Sequence, residues 1–239
     1  MSQSQSNEEK RRQVRASRAG RPRLGADKGR ETILWNALQC FARRGYDGVH
    51  LRDLAQQAGV NIALANYHFG SKFALWQACL EQLQSRATEA VVAIGSLEAA
   101  DLRYPQKLVN AYRIFIRFNS EYPDYGLFIL QEMLAPGERQ DSVKKLLIDP
   151  FQEVLMPLLS EGAEQGFIQT NDVMLLFFTH SVAISHVVAA QGLMGQFFTP
   201  ESRRKETLKE LLTMMVRSAT GAFSQEFEEA VGTCLDFEK

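Results

Sequence analysis

The sequence predicts an all-α protein, a three-helix head followed by a larger helical body, and three observations carry that prediction. Apolar residues recur at three- and four-residue spacing through most of the chain after residue 30. Glycines and prolines punctuate those stripes at helix-length intervals. No run of alternating β-branched residues marks a strand. The chain has 239 residues, 45% of them apolar and 23% charged, enough to bury a core without disulfide or metal staples.

Taken in order, residues 1–26 are polar and basic with no apolar stripe, and read as a disordered arm. The first helix starts near Arg30, where Ile33, Leu34, Ala37, Leu38 and Phe41 fall on one face. Arg43 and Arg44 favour its last turn, and Gly45 stops it. A short helix follows at about 51–58 and another at about 62–69, with Gly59 and Asn61 between them. Gly70 breaks the chain, and Ser71 caps a long helix over about 72–94. Pro105 opens the next, to about 121; another spans about 124–134. A helix at about 142–165 is expected in two pieces because Pro150 and Pro157 lie inside it. Asn171 or Asp172 caps a very apolar helix reaching Leu193, and Thr199 with Pro200 opens the last long helix, which runs to Phe223. The domain boundaries expected are an arm at 1–26, a head at 27–72, a body at 73–230 and a flexible tail at 231–239.

The net charge of −1 hides an asymmetry. Residues 1–72 hold 13 basic and 6 acidic residues, whereas 73–239 hold 14 and 22. A basic head on an acidic body suits a polyanionic partner. Cys40, Cys79 and Cys234 form no CxxC pair, so neither a disulfide framework nor a structural zinc site is indicated, and a cytoplasmic location is expected. The N-terminus has no apolar run that would make a secretory signal. The apolar window 173–190 is interrupted by Thr179, His180, Ser181, Ser185 and His186, and reads as a buried helix rather than a membrane span.

Residues 49–72 are the informative stretch. Two short helices meet at Ala58, Gly59, Val60 and Asn61, where glycine permits positive φ and asparagine caps the second helix: helix-turn-helix grammar. With Leu64, Ala65 and Phe69 facing the core, the second helix presents Ile62, Ala63, Asn66 and Tyr67, with His68 at the edge. Asn66 can pair with an adenine edge, and Ile62 and Ala63 can touch a thymine methyl. Tyr67 and Lys72 can donate to phosphates, and Arg52 can reach guanine or phosphate. In the arm, Gly20, Arg21, Pro22 and Arg23 make an extended strip that fits a narrow minor groove through Arg21 and Arg23.

This stretch, with Gly45-Tyr46-Asp47-Gly48 before it, Leu51 to Val60 through the turn and Tyr67-His68-Phe69-Gly70-Ser71-Lys72 after it, resembles the DNA-binding domain of the TetR family of transcriptional regulators over about residues 28–90. The Asn66-to-Lys72 wording resembles a subgroup of that family. The resemblance implies an N-terminal helix-turn-helix domain and a C-terminal helical ligand-binding and dimerisation domain. It also implies a homodimer on a palindromic double-stranded DNA operator, released when a small organic effector moves the long fourth helix. It implies no cofactor and no catalysis. It assigns DNA contacts to His50, Arg52, Ile62, Ala63, Asn66, Tyr67, His68 and Lys72. His50 departs from the hydroxyl that often caps the second helix, and Leu64 stands where many members carry a hydroxyl.

In the body, Leu108, Tyr112, Phe115 and Asn119 share one helical face, as do Phe177, His180, Ser181 and Ile184. A cavity between such faces would be apolar with a few polar groups, so Leu108, Tyr112, Phe115, Asn119, Phe177, His180 and Ser181 are candidate ligand residues. The stripe Leu208, Leu211, Leu212, Met215, Val216 and Ala219, with Val187 and Leu193, is the candidate dimer interface. His180 and His186 do not share a face, which argues against a metal pair. Two alternatives remain open: an architectural DNA binder with no effector, and a small all-α enzyme using His180 or His186 with Glu132.

Overall fold

The computed structural model describes residues 24–134, 136–194, 204–221 and 224–233. The described residues are helical with no strand. Helix α1 (Leu24–Arg44) begins earlier than the stripe suggests, so residues 24–26, expected in the arm, are helical. Gly29 explains part of this: it lies against Leu64, where a Cβ would come within 3.3 Å of the leucine Cδ2. Ile33, Leu34, Ala37, Leu38 and Phe41 are all buried, as their spacing predicts. Helices α2 (Leu51–Gln57) and α3 (Ile62–Phe69) complete the head. Gly59 between them takes φ 65°. Asn61 Oδ1 then accepts the Ala63 amide at 2.9 Å, and Ser71 Oγ accepts the Ala74 amide at 3.1 Å. Ser71 thereby opens the long α4 (Lys72–Gly95), which buries Leu75, Trp76 and Leu83.

The body packs α5 (Tyr104–Glu121) at its centre, touched by α4, α8 (Asp149–Glu164), α9 (Val173–Met194), α10 (Arg204–Thr220) and α11 (Gln225–Thr233). Helix α6 (Asp124–Met133) lies between α1 and α9. The predicted break near Pro150 takes a different form. A short α7 (Glu138–Val143) runs into a π-helical turn, Lys144–Ile148, before α8. Pro150 sits in the first turn of α8, where its missing N–H is harmless, and Pro157 stays inside the helix. Helix α11 has no counterpart in the sequence reading. Arg21, Arg23, Thr199, Pro200, Phe223 and Cys234, and the side chain of Leu193, lie outside the described residues.

Two expectations are corrected here. Leu208, Leu211, Leu212, Met215, Val216 and Ala219 are buried within their own chain, none more than 9% exposed, so they face no second copy. The periodicity was real, but α5 and α11 cover that face of α10. Conversely, α9 is not an enclosed helix. Its stretch Val173–Ala190 is long and apolar enough to cross a membrane, yet only 28% of it is buried within the chain. Phe177, His180, Ile184, Ser185 and Val188 face inward, whereas Met174, Leu175, Phe178 and Val182 form an exposed apolar face and Val187 is exposed apart from it.

Gly126 permits the close approach of α6 to α9: a Cβ there would overlap the side chain of Ser185. Gly126→Ala is expected to lower stability by about 1–3 kcal/mol through overpacking, read as a reduced urea midpoint at unchanged slope. An unchanged midpoint would mean that the two helices are not in this contact.

Candidate DNA interface and ligand cavity

The head exposes the side chains that its pattern assigns to DNA. Ile62, Ala63 and Asn66 are exposed on α3, and Tyr67 is 76% exposed, although it is a large aromatic with buried Ala65 and Phe69 two positions to either side. Ala65 and Phe69 hold α3 to the core. Arg52 and His50 are also exposed, and His50 makes no capping bond. His68 differs from the rest. It is half-buried, its ring lies against Tyr67 and Phe69, and its Nε2 is buried without a partner among the described residues. It is a packing residue at the edge of the surface.

Lys72 is half-buried, with Nζ 4.3 Å from the centre of the Tyr46 ring. Burial lowers its pKa below the ordinary lysine range, and the carboxylate of Asp47 opposes that shift. Tyr46 also stacks on Phe41 and meets Trp76 edge-on. The Arg139 guanidinium lies 4.1 Å from the same ring centre. Arg139 Nε in turn donates to Glu132 Oε2 at 2.9 Å, and Trp76 Nε1 donates to Glu132 Oε1 at 2.9 Å. Glu132 is a carboxylate only 2% exposed, so both donors are needed to offset its desolvation. This cluster ties the head, through Tyr46, and the start of α4, through Trp76, to α6 and α7. It also occupies Glu132 fully, away from both histidines named in the enzymatic alternative.

Among the described residues of the body, two hollows lie side by side. The smaller, about 20 Å³, is bounded by Leu108, Tyr112 and His180. That is room for a water molecule, not an organic ligand. His180 is spent there. Its Nδ1 lies 2.6 Å from the Tyr112 hydroxyl and its Nε2 3.4 Å from Ser218 Oγ. Burial pushes its pKa down to about 4 and pushes the Tyr112 phenol up. The neutral imidazole therefore accepts from Tyr112 at Nδ1. The larger cavity, about 310 Å³, falls in the range of small-molecule sites. Of the predicted ligand residues, Phe115, Phe177 and Ser181 line it. Leu108, Tyr112 and His180 do not. Asn119 lines neither hollow: its Nδ2 donates to the Phe115 carbonyl at 2.9 Å and its Oδ1 accepts from Ser185 at 2.8 Å.

The sequence reading missed the wall supplied by α6, namely Tyr125, Gly126, Ile129, Leu130 and Met133. The four-residue spacing of Tyr125, Ile129 and Met133 marks a buried face, but a face against a core and a face against a cavity share one period. The π turn contributes Leu147 and Ile148, and α9 adds Phe178, Val182, Ser185 and His186.

Comparison with known proteins bears on the head first. Residues 33–79 match the family model of bacterial regulatory proteins, tetR family. The chain is 27% identical over 169 residues to the HTH-type transcriptional dual regulator CecR of Shigella flexneri, covering 66% of this chain and 74% of that protein. It is 24% identical over 192 residues to the HTH-type transcriptional repressor NicS of Pseudomonas putida, covering 79% and 82%. Among solved structures, AibR in complex with isovaleryl coenzyme A and operator DNA superposes with a TM-score of 0.59 at 18% identity, over 82% of this chain and all of that one. That last likeness is one of fold. The helix-turn-helix head with its exposed reading helix thus agrees with the family model matched over residues 33–79, and the relatives to which the chain is similar are named as transcriptional regulators.

Proposed function

We propose that the chain is a ligand-responsive repressor: a homodimer that holds a palindromic operator and lets go when a small organic molecule enters the larger cavity. The observation that carries this reading is the position of α6. One helix both lines the cavity and packs along α1 of the head, while none of the residues lining that cavity comes from the long α4. A ligand that displaces α6 shifts the head directly, with the Glu132 cluster as the tie. Coupling of about 1–3 kcal/mol would change operator affinity by roughly 5–150-fold.

In this reading the apolar face of α9, with Leu175, Phe178 and Val182, pairs with the same face of a second copy, and the exposed Val187 lies at its margin. Half-sites then lie about one helical turn, roughly 34–36 Å, apart. Ile62, Ala63, Asn66 and Tyr67 read the major groove, Arg52 and Lys72 meet phosphates, and Arg21 and Arg23 enter the minor groove. The Asn66-to-Lys72 wording sets the subgroup, and the protein acts in the cytoplasm without catalysis.

The test is a selection of bound sequences from random duplex DNA at about 150 mM salt, where non-specific phosphate binding is weakened. A single palindrome is expected to win. Tyr67→Ala and Asn66→Ala should each weaken binding to it by at least about tenfold, since both side chains are exposed on the reading helix. No enriched site, with binding that survives both changes and vanishes on removing residues 1–26, would replace this reading by that of an architectural binder.

A further inference from the structure

Resting on that effector reading, we propose that the larger cavity takes a neutral, mainly apolar molecule bearing one hydroxyl at its polar end, and rejects carboxylates and phosphate-bearing carriers. None of the described residues lining it is Lys, Arg, Asp or Glu, so among them an anion placed inside meets no permanent countercharge. Burying an unpaired charge costs far more than a few neutral hydrogen bonds return.

The wall's polar groups narrow the choice further. Tyr125 donates its hydroxyl to the Leu147 carbonyl at 2.6 Å, and Ser185 donates to Asn119 at 2.8 Å. Both are committed to the wall. Two groups on α9 are left: the Ser181 hydroxyl, with no partner among the described residues, and the His186 ring. His186 Nδ1 lies 2.9 Å from the Val182 carbonyl and donates to it. In the tautomer that this bond selects, Nε2 carries the lone pair. A ligand hydroxyl matches this pair, donating to His186 and accepting from Ser181. A carboxylate has acceptors only, so it gains one bond from Ser181 and sets its charge against the His186 lone pair. The rest of the wall, from Phe115, Phe151 and Phe177 to Ile129 and Leu130, offers only apolar contact.

Three probes of one skeleton test this by calorimetric titration of the full chain at about pH 7.5, where the phenol is neutral and the acid ionised. Para-phenylphenol is expected to bind. Biphenyl, lacking the hydroxyl, should bind up to about tenfold more weakly. Para-phenylbenzoate should bind at least about a hundredfold more weakly. Ser181→Ala should weaken the phenol severalfold and leave biphenyl unchanged, and Ile129→Trp should fill the cavity and abolish both. Far-ultraviolet circular dichroism checks that each variant is folded. Equal binding of the benzoate, binding of none of the three, or binding that survives Ile129→Trp would each overturn the proposal. Operator affinity with saturating phenol is read separately. If the phenol binds in the cavity but leaves operator affinity unchanged, the effector reading fails and the ligand class stands.

Discussion

Replacing Glu132 by alanine is expected to destabilise the fold by about 3 kcal/mol, although the position carries no apolar burial worth the name. The reason is what remains behind. Trp76 is wholly buried, and its Nε1–H, now 2.9 Å from Glu132 Oε1, would be left without an acceptor. An orphaned buried donor alone costs about 1–3 kcal/mol. Arg139, a quarter exposed, would lose its carboxylate and stay pinned over Tyr46. Glu132→Gln should cost about half as much, because an amide oxygen still accepts from Trp76 while the charge-assisted bond to Arg139 is lost. Trp76→Phe in the Glu132→Ala background should cost less than it does alone, with a coupling of about 1–2 kcal/mol, since each change then removes a partner already gone. Urea unfolding of the four chains closes the cycle. A Glu132→Ala cost below about 1 kcal/mol would show that water already solvates the cluster and that it does not tie the head to the body.

That cluster also shows where sequence reading stops. Gly59, Asn61 and Ser71 announce their turns because the chemistry of a cap or a positive φ is local. The reading face of α3 is legible for the same reason: eight residues of one helix settle which side is apolar. Glu132 and Arg139 are not legible, because a carboxylate seven residues from an arginine has no local sign that Trp76 will close over it. The stripe on α10 was read correctly as buried and assigned to the wrong partner, since periodicity tells which side is covered and not by which chain. Val187 marked α9 for the interface, but Leu175, Phe178 and Val182 escaped because the whole helix is apolar, leaving no polar side to mark the face that the chain itself does not cover. The cavity is a mismatch between packed surfaces, and only Phe115, Phe177 and Ser181 of it were found. The start of α1 was missed because Gly25 and Gly29 argue against helix locally, whereas contact with Leu64 favours it.

Acidification should weaken the fold through His180 by about 3 kcal/mol between pH 6.5 and pH 4. The sign follows from which state binds the proton. Burial between α5 and α10 lowers the imidazole to about 4 in the folded chain, against 6.5 when exposed. Below 6.5 the unfolded chain takes up a proton that the folded chain refuses, so stability falls as pH drops and levels off once the folded site protonates. The gap of about 2.5 units corresponds to roughly 3 kcal/mol. The refusal is structural as well as dielectric: Nδ1 receives the Tyr112 hydroxyl at 2.6 Å, and a protonated ring would set donor against donor until the phenol turned away. Asp124 acts in the opposite sense, since burial raises its carboxyl pKa and the folded chain then binds its proton more readily on acidification. Comparison with His180→Gln removes that contribution, because Asp124 is common to both proteins. The stability of the wild-type chain relative to the Gln variant, from urea unfolding at pH 7 and pH 4, should therefore drop by about 3 kcal/mol. A difference independent of pH would mean that the folded imidazole titrates normally and that the Tyr112 bond does not hold it neutral. The location gives the loss a consequence. Phe177 and Ser181, which flank His180 on α9, line both hollows, so a charge forced in at His180 strains the wall that a ligand must use.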